Sequence, residues 1–84
     1  MGDRFCFDLH NGDGDLADDV GRLMTSEAEV SIEVARLLTD IARDEFTVNE
    51  RRGVITVKVR DDVGRAISIG TLTFSYEVLP THDC

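Results

Sequence analysis

Apolar and polar residues alternate from Arg4 to His10. Phe5, Phe7 and Leu9 fall on one side, and Arg4, Cys6, Asp8 and His10 on the other. This is the two-residue period of a strand with one buried face. Asn11-Gly12-Asp13-Gly14 follows. These residue types tolerate positive φ and so turn the chain. Asp15 to Val20 offers only Leu16, Ala17 and Val20 as apolar groups. It predicts a short second strand returning beside the first and ending at Gly21.

The period changes near Thr25. Ser26 and Glu29 stand three apart, the spacing of a capping box, and the acids of the first turn suit the helix dipole. The helical pattern then runs to about Phe46. Val30, Val34, Leu37, Leu38 and Ile41 cluster on one side of a wheel, and Ala28, Ile32, Ala35, Ala42 and Phe46 widen the same arc. Glu29, Glu33, Arg36, Asp40, Arg43 and Asp44 lie opposite. The apolar arc is wider than the stripe of ~100° expected of a surface helix. Such a helix either nests deeply on a curved sheet or touches a sheet and a partner subunit at once. Arg36 lies three after Glu33 and four before Asp40, so local ion pairs account for the charged side.

Thr47 to Gly53 is polar and reads as a loop. Val54 to Arg60 alternates again, with Ile55, Val57 and Val59 inward and Thr56, Lys58 and Arg60 outward. Asp61-Asp-Val-Gly64 is a turn. The last strand spans Arg65 to Leu79. Its apolar residues sit at odd positions in Ile67 and Ile69, then at even positions in Leu72, Phe74, Tyr76 and Val78. This change of phase predicts a β-bulge at Gly70. Pro80 stops the strand. The expected fold is α+β: a two-layer sandwich, one helix packed on a small antiparallel sheet, in the order β-β-α-β-β. A connection of helix length could also make one parallel pair by a right-handed crossover. A single domain over 1–79 and a disordered tail over 80–84 complete the reading. No repeats and no low-complexity segment interrupt it.

Size and charge narrow the functions. The chain has 84 residues, and a domain of that size buries only about 60–65% of the surface of its unfolded chain. Added stability is expected, and dimerisation is its simplest source. The two cysteines, Cys6 and Cys84, do not make a disulfide framework and read as free thiols in a reducing cytoplasm. No secretory signal and no membrane span are visible. With 17 acidic and 9 basic residues the net charge is −8, which repels phosphate backbones and weighs against nucleic acid as a partner. The excess acid serves solubility, although it also permits an antitoxin-like or nucleic-acid-mimicking role.

Laid out in this order, the chain resembles a family of small acidic bacterial domains of unknown function, the domain of unknown function 6894 type. The matching pieces are Arg4-Phe-Cys-Phe-Asp-Leu-His-Asn-Gly12, Asp18-Asp-Val-Gly21, a helix with Glu-Ala openings ending Ile41-Ala-Arg-Asp44, and Val57-Lys-Val-Arg-Asp-Asp-Val-Gly-Arg65 leading into Leu72-Thr-Phe74. Where the family often has Leu-Pro-Asp before the helix, this chain has Leu23-Met24-Thr25-Ser26. The resemblance implies the fold. It implies no activity, cofactor or ligand.

The stretch Phe7 to Gly21 is rich in Asp and Gly and raises the question of a metal. No frame fits a calcium loop of the EF-hand type: counting from Asn11, the sixth position is Leu16 where Gly is needed. Asp8, His10, Asp13 and Asp15 remain candidate ligands, but one His among carboxylates is too few for a specific transition-metal site. Hairpin turns use Asp, Asn and Gly in any case. Cys6, Asp8 and His10 stand in a row on one strand face, the sharpest catalytic constellation in the chain, yet alternation alone would place them there. His82-Asp83-Cys84 lies in the tail, where catalytic preorganisation is lacking. Arg51, Arg52 and Arg60 could bind an anion, although charged surface loops account for them as well. No cofactor is expected. The reading is a non-enzymatic protein-interaction module, homodimeric through its helix or its last strand. Its interface candidates are Val30, Val34, Leu37, Phe46, Leu72, Phe74 and Tyr76. The alternative is a ligand- or metal-responsive regulatory domain that senses through the acidic first hairpin.

Overall fold

Ile55, Val57 and Val59 lose nearly all their surface to their neighbours, and the fold is arranged around them. The computed structural model describes residues 2–11, 14–45 and 52–80. Its elements are β1 (Asp3–Asn11), β2 (Gly14–Leu16), β3 (Arg22–Met24), α1 (Glu27–Glu45), β4 (Arg52–Arg60) and β5 (Ala66–Ser75). The strands form one sheet in the order β2-β1-β4-β5, with β3 also paired to β1. Every pairing is antiparallel, so the parallel alternative is not used among the described residues. The helix lies on one face, packed on β4 and β5 and touching β3. The α+β class and the two layers are those expected, with one strand more.

That extra strand comes from splitting the expected second one. Leu9 pairs with Leu16, and Phe5 with Arg22. Phe5 and Leu9 stand four positions apart on β1, but Leu16 and Arg22 six apart on the returning chain, which therefore carries two residues too many. It bulges between β2 and β3 instead of continuing. The bulge is shaped by Asp18, whose Oδ1 accepts from the N–H groups of Val20 at 3.1 Å and Gly21 at 3.0 Å. Gly21 has φ +79°, and a side chain there would lie 2.7 Å from Cγ of Arg4. The same tetrapeptide, Asp-Asp-Val-Gly, recurs at 61–64 and turns the chain again. There Asp61 Oδ1 accepts from Val63 N–H at 3.1 Å and Arg65 N–H at 2.8 Å, and Gly64 has φ +88°. Local hydrogen bonds from an Asp side chain to its own turn, closed by a residue free to take positive φ, suffice for both.

The helix starts as its sequence directs. Ser26 Oγ accepts from Glu29 N–H at 3.2 Å. The carboxylate of Glu29 reaches back to the N–H of Thr25 at 2.8 Å and its hydroxyl at 2.7 Å, one residue further out than a standard capping box. Val30 and Leu38 are buried, and Val34, Leu37, Ile41 and Ala42 pack beside them. Ile32, expected within the apolar arc, is exposed. The ion pairs of Arg36 with Glu33 at 2.7 Å and Asp40 at 3.0 Å form on the outer side. Glu33 also pairs with Arg22, which joins the helix to β3.

The last strand corrects the expected bulge. β5 runs against β4 without interruption past Gly70, which pairs with Val57, while the irregularity falls at Val59/Arg60, opposite Ser68 and Ala66. The change of phase has another cause. Gly70 and Leu72 lie on the helix side with Val57 and Ile55, whereas Ile69 pairs with Lys58 on the opposite face and is 67% exposed. Gly70 is a point of close approach. A Cβ there would meet Val34 Cγ1 at 2.4 Å and Leu38 Cδ1 at 3.3 Å. Two strand limits also differ. β4 begins at Arg52, not Val54, and β5 ends at Ser75, four residues short of Leu79. The expected 81–84 part of the tail and Phe46 lie outside the described residues.

Gly70→Ala is expected to cost about 1–3 kcal/mol of stability by forcing the helix off the sheet. Urea unfolding measures it. In a Val34→Ala background the same substitution should cost clearly less, because the clashing methyl is gone. Equal costs in both backgrounds would refute the close-contact explanation.

Candidate functional site

A helix about 10 Å across covers roughly two strands spaced about 4.8 Å apart. This sheet is four strands wide, so the helix leaves apolar gaps on both flanks and the whole opposite face open. One gap, of about 470 Å³, lies beside β5 against Val30, Val34 and Gly70. The other, of about 580 Å³, lies beside the first hairpin against Leu9, Leu16, Leu37 and Ile41. Leu16 remains 68% exposed there. The polar residues lining them are Glu27, Ser31 and Ser68 in the first and Asp18, Asp19 and Arg22 in the second, where Asp18 is engaged by the N–H of Phe7 and Arg22 by Glu33. The groups with chemistry are on the open face.

Asp8 is the centre of that face and is only 6% exposed. Strand alternation puts it with Cys6 and His10, opposite Phe7. Arg60 sits two register pairs away, across from Cys6 on the same face, and forks onto Asp8: Nε donates to Oδ2 at 2.6 Å and Nη2 to Oδ1 at 3.0 Å. The same Oδ1 accepts from Asp18 N–H at 2.9 Å, and Arg60 Nη2 also donates to the Asp18 carbonyl at 2.9 Å. Asp18 turns its own carboxylate onto the N–H of Phe7 at 3.1 Å, which supplies a partner where strand pairing is broken by the bulge. Arg4 fixes the far end through the Val20 carbonyl at 2.9 Å. Two carboxylates, one guanidinium and one loop thus close on each other.

The electrostatics follow the geometry. The Arg60 guanidinium holds the Asp8 carboxyl below its ordinary value of 3.8, against the opposing effect of burial. For Asp18 burial pushes upward, but the N–H groups of Gly21, Phe7 and Val20 outweigh it and the net direction is down. Arg60 is in turn held above its usual range by Asp8. Both oxygens of Asp8 are occupied, so what this arrangement does chemically is clamp two strands and a loop.

The other candidate residues are placed as follows. His10 and Asp15 face each other across the first hairpin, with Nδ1 and Oδ1 2.7 Å apart. Asp13, Arg51 and Cys84 lie outside the described residues. Cys6 carries a free thiol and is half-buried. The row Cys6, Asp8, His10 does share a face, but Asp8 is bonded to Arg60 and His10 to Asp15. Among the described residues no three His, Cys, Asp or Glu side chains converge in a manner that could hold a metal ion. Of the interface candidates, Val30 is buried in the core, Val34, Leu37 and Leu72 pack against it, Phe74 is half-buried and Tyr76 is exposed. The sequence reading missed Asp18 as a structural group and Arg60 as the partner of Asp8. The Asp-x-x-Gly spacing at Asp18 was the available signal for the first. Strand register, which no single strand carries, decides the second.

A family model described as "Domain of unknown function (DUF6894)" matches residues 4–73. The chain belongs to that family. The matched span takes in the clamp with both of its turns and most of β5. Comparison with curated proteins and with solved structures gives no match. No helix among the described residues is long and apolar enough to cross a membrane.

Acid should open the clamp. A carboxylate whose folded value is depressed contributes stability that is complete above its unfolded value, here 3.8, and is lost as the pH falls through the lower folded value. The urea midpoint is therefore expected to drop as the pH goes below about 4. Asp8→Asn should lose about 2–4 kcal/mol at pH 7, because Arg60 is left without its counter-charge, and its acid limb should be shallower than that of the wild type. An acid limb of unchanged steepness in Asp8→Asn would show that Asp8 does not titrate in this range.

Proposed function

We propose that this member of the family is a non-enzymatic protein-interaction module that self-associates through β5. The observation that carries the reading is the contrast between the two borders of the sheet. On one border stand β2 and β3, three residues each and interrupted by the Asp18 bulge. Short, bulged strands are a common protection against unwanted pairing. On the other border stands β5, ten residues long, paired among the described residues with β4 alone. It reads Ala-Ile-Ser-Ile-Gly-Thr-Leu-Thr-Phe-Ser and contains no charged residue and no proline. In a chain of which 31% is charged, that gap is conspicuous. An edge with neither charge nor proline, and regularly paired from Ser68 onward, is suited to receiving another strand through its main-chain groups.

The exposed side chains support the same place. Ile67 is 47% exposed and Ile69 67%, both on β5, and Val54 on β4 is exposed beside Thr73. The helix is less suited to the role, since Val30, Val34 and Leu37 are engaged in the chain's own core. The acidic hairpin is less suited to sensing, since Asp8 is engaged by Arg60. A reducing cytoplasmic setting fits the free thiol of Cys6.

Size-exclusion chromatography with light scattering tests this. A dimer is expected at tens of micromolar chain, on the scale of ordinary associations. Ile69→Lys, which adds a charge to an exposed edge position, should give a monomer with an unchanged far-ultraviolet circular dichroism spectrum. A wild-type chain that stays monomeric at about 100 μM would overturn the reading.

A further inference from the structure

We propose that the gap beside the first hairpin is a binding site for a free amino acid with a large apolar side chain. The gap, of about 580 Å³, falls within the range of roughly 300–1,000 Å³ that small-molecule sites occupy. It lies on the border formed by β2 and β3, and no residue of β5 lines it, so the site is independent of self-association. Phe7, Leu9 and Val57 form its floor. Leu37 and Ile41 of the helix form one wall, and Leu16 with the bulge forms the other.

Polar and apolar groups are segregated along it. At one end Arg22 holds its guanidinium over the Phe7 ring, 5.9 Å from the centroid. Its Nη1 is engaged by Glu33, which leaves Nε and Nη2 as donors. The carboxylate of Asp18 is spent on the N–H groups of Phe7, Val20 and Gly21. The next carboxylate, Asp19, also lines the gap and has no partner among the described residues. At the other end Leu9 and Leu16 form a cross-strand pair. Leu9 stands two residues along β1 from Phe7, or about 7 Å. That is the span from a charged head group to the tip of a branched or aromatic side chain.

The charges select the head group. A net charge of −8, with Asp19 at the rim, disfavours a simple anion. Arg22 above the floor disfavours a simple cation. A molecule with an ammonium and a carboxylate on one carbon satisfies both. Its ammonium goes to Asp19 and its carboxylate accepts from the open donors of Arg22, three positions further along the chain and turned back by Gly21 at φ +79°. Its apolar part then covers Leu16, otherwise 68% exposed.

Thermal melts and titration calorimetry on the full chain test this. L-Leucine or L-phenylalanine at about 10 mM is expected to raise Tm by about 4 °C or more, because a ligand held by the folded chain alone stabilises it. Three compounds should bind about tenfold more weakly or not at all: glycine, which lacks the side chain, isocaproate, which is leucine without the ammonium, and isoamylamine, which is leucine without the carboxylate. Asp19→Asn should weaken leucine about tenfold and should not weaken isocaproate. Leu16→Ser should weaken leucine and phenylalanine alike. Both positions are exposed, so the melts of these variants without added compound should match the wild type. Equal binding of leucine, isocaproate and isoamylamine would mean an unselective apolar groove and overturns the proposal. A chain whose Tm none of the compounds moves overturns it too, and leaves self-association through β5 standing.

Discussion

The pairing of Asp8 with Arg60 is the constraint on which the rest of the structure depends. The two residues are 52 positions apart in sequence and belong to neighbouring strands. A slip of one residue by β4 against β1 would turn Arg60 into the core, away from Asp8, and Val59 out to water. The pair thus fixes which way each strand faces, and with it where the helix can land. It also reaches beyond the two strands, because the Asp18 main chain completes the coordination of both partners. The loop that interrupts the first hairpin is therefore part of the clamp, and its own side chain returns a hydrogen bond to β1. A nearly buried carboxylate is tolerable here because every one of its oxygens has a charged or main-chain donor.

The other face is governed by shape. The helix comes close enough to β5 for Val34 to stand over a residue without a side chain. Its position along the sheet is set from the side by Glu33, held between Arg22 of β3 and Arg36 of its own next turn. Its start is set by Ser26 and Glu29. These contacts are of different kinds and lie at different points, so the helix has little freedom to rotate or slide. A single helix cannot cover four strands, however deeply it nests. The flanking gaps and the bare rear face are geometric results of one helix on this sheet, and they account for much of the apolar surface left outside.

Much of this was legible in the chain. Alternation in 4–10 and 54–60 gave the faces of β1 and β4 directly, because both strands border a buried layer on one side only. The capping residues gave the start of α1. The split of the second strand was not legible, since Leu16, Ala17 and Val20 are too few to show where pairing stops, and the decisive group, Asp18, is polar and hidden within a run of acids. The phase change in β5 was visible but misread. Periodicity reports which residues are apolar, not whether the face they occupy is covered, and an exposed Ile69 looks the same in sequence as a buried one. For the candidate site, the row Cys6, Asp8, His10 was correctly placed on one face. Its chemistry depended on Arg60 and Asp15, which arrive through strand register and the first hairpin.

The neutral sequence of β5 has a cost that arises before the protein is complete. A ten-residue segment without charge or proline and rich in β-branched residues is the type that sticks to its own kind when it is unfolded. Its position in the chain limits that hazard. It is translated directly after β4, across five residues tied together by Asp61, so a matching template is already at hand when it leaves the ribosome. Local hairpins close far faster than residues are added during translation, and the nascent segment is sheltered on one edge almost as soon as it appears.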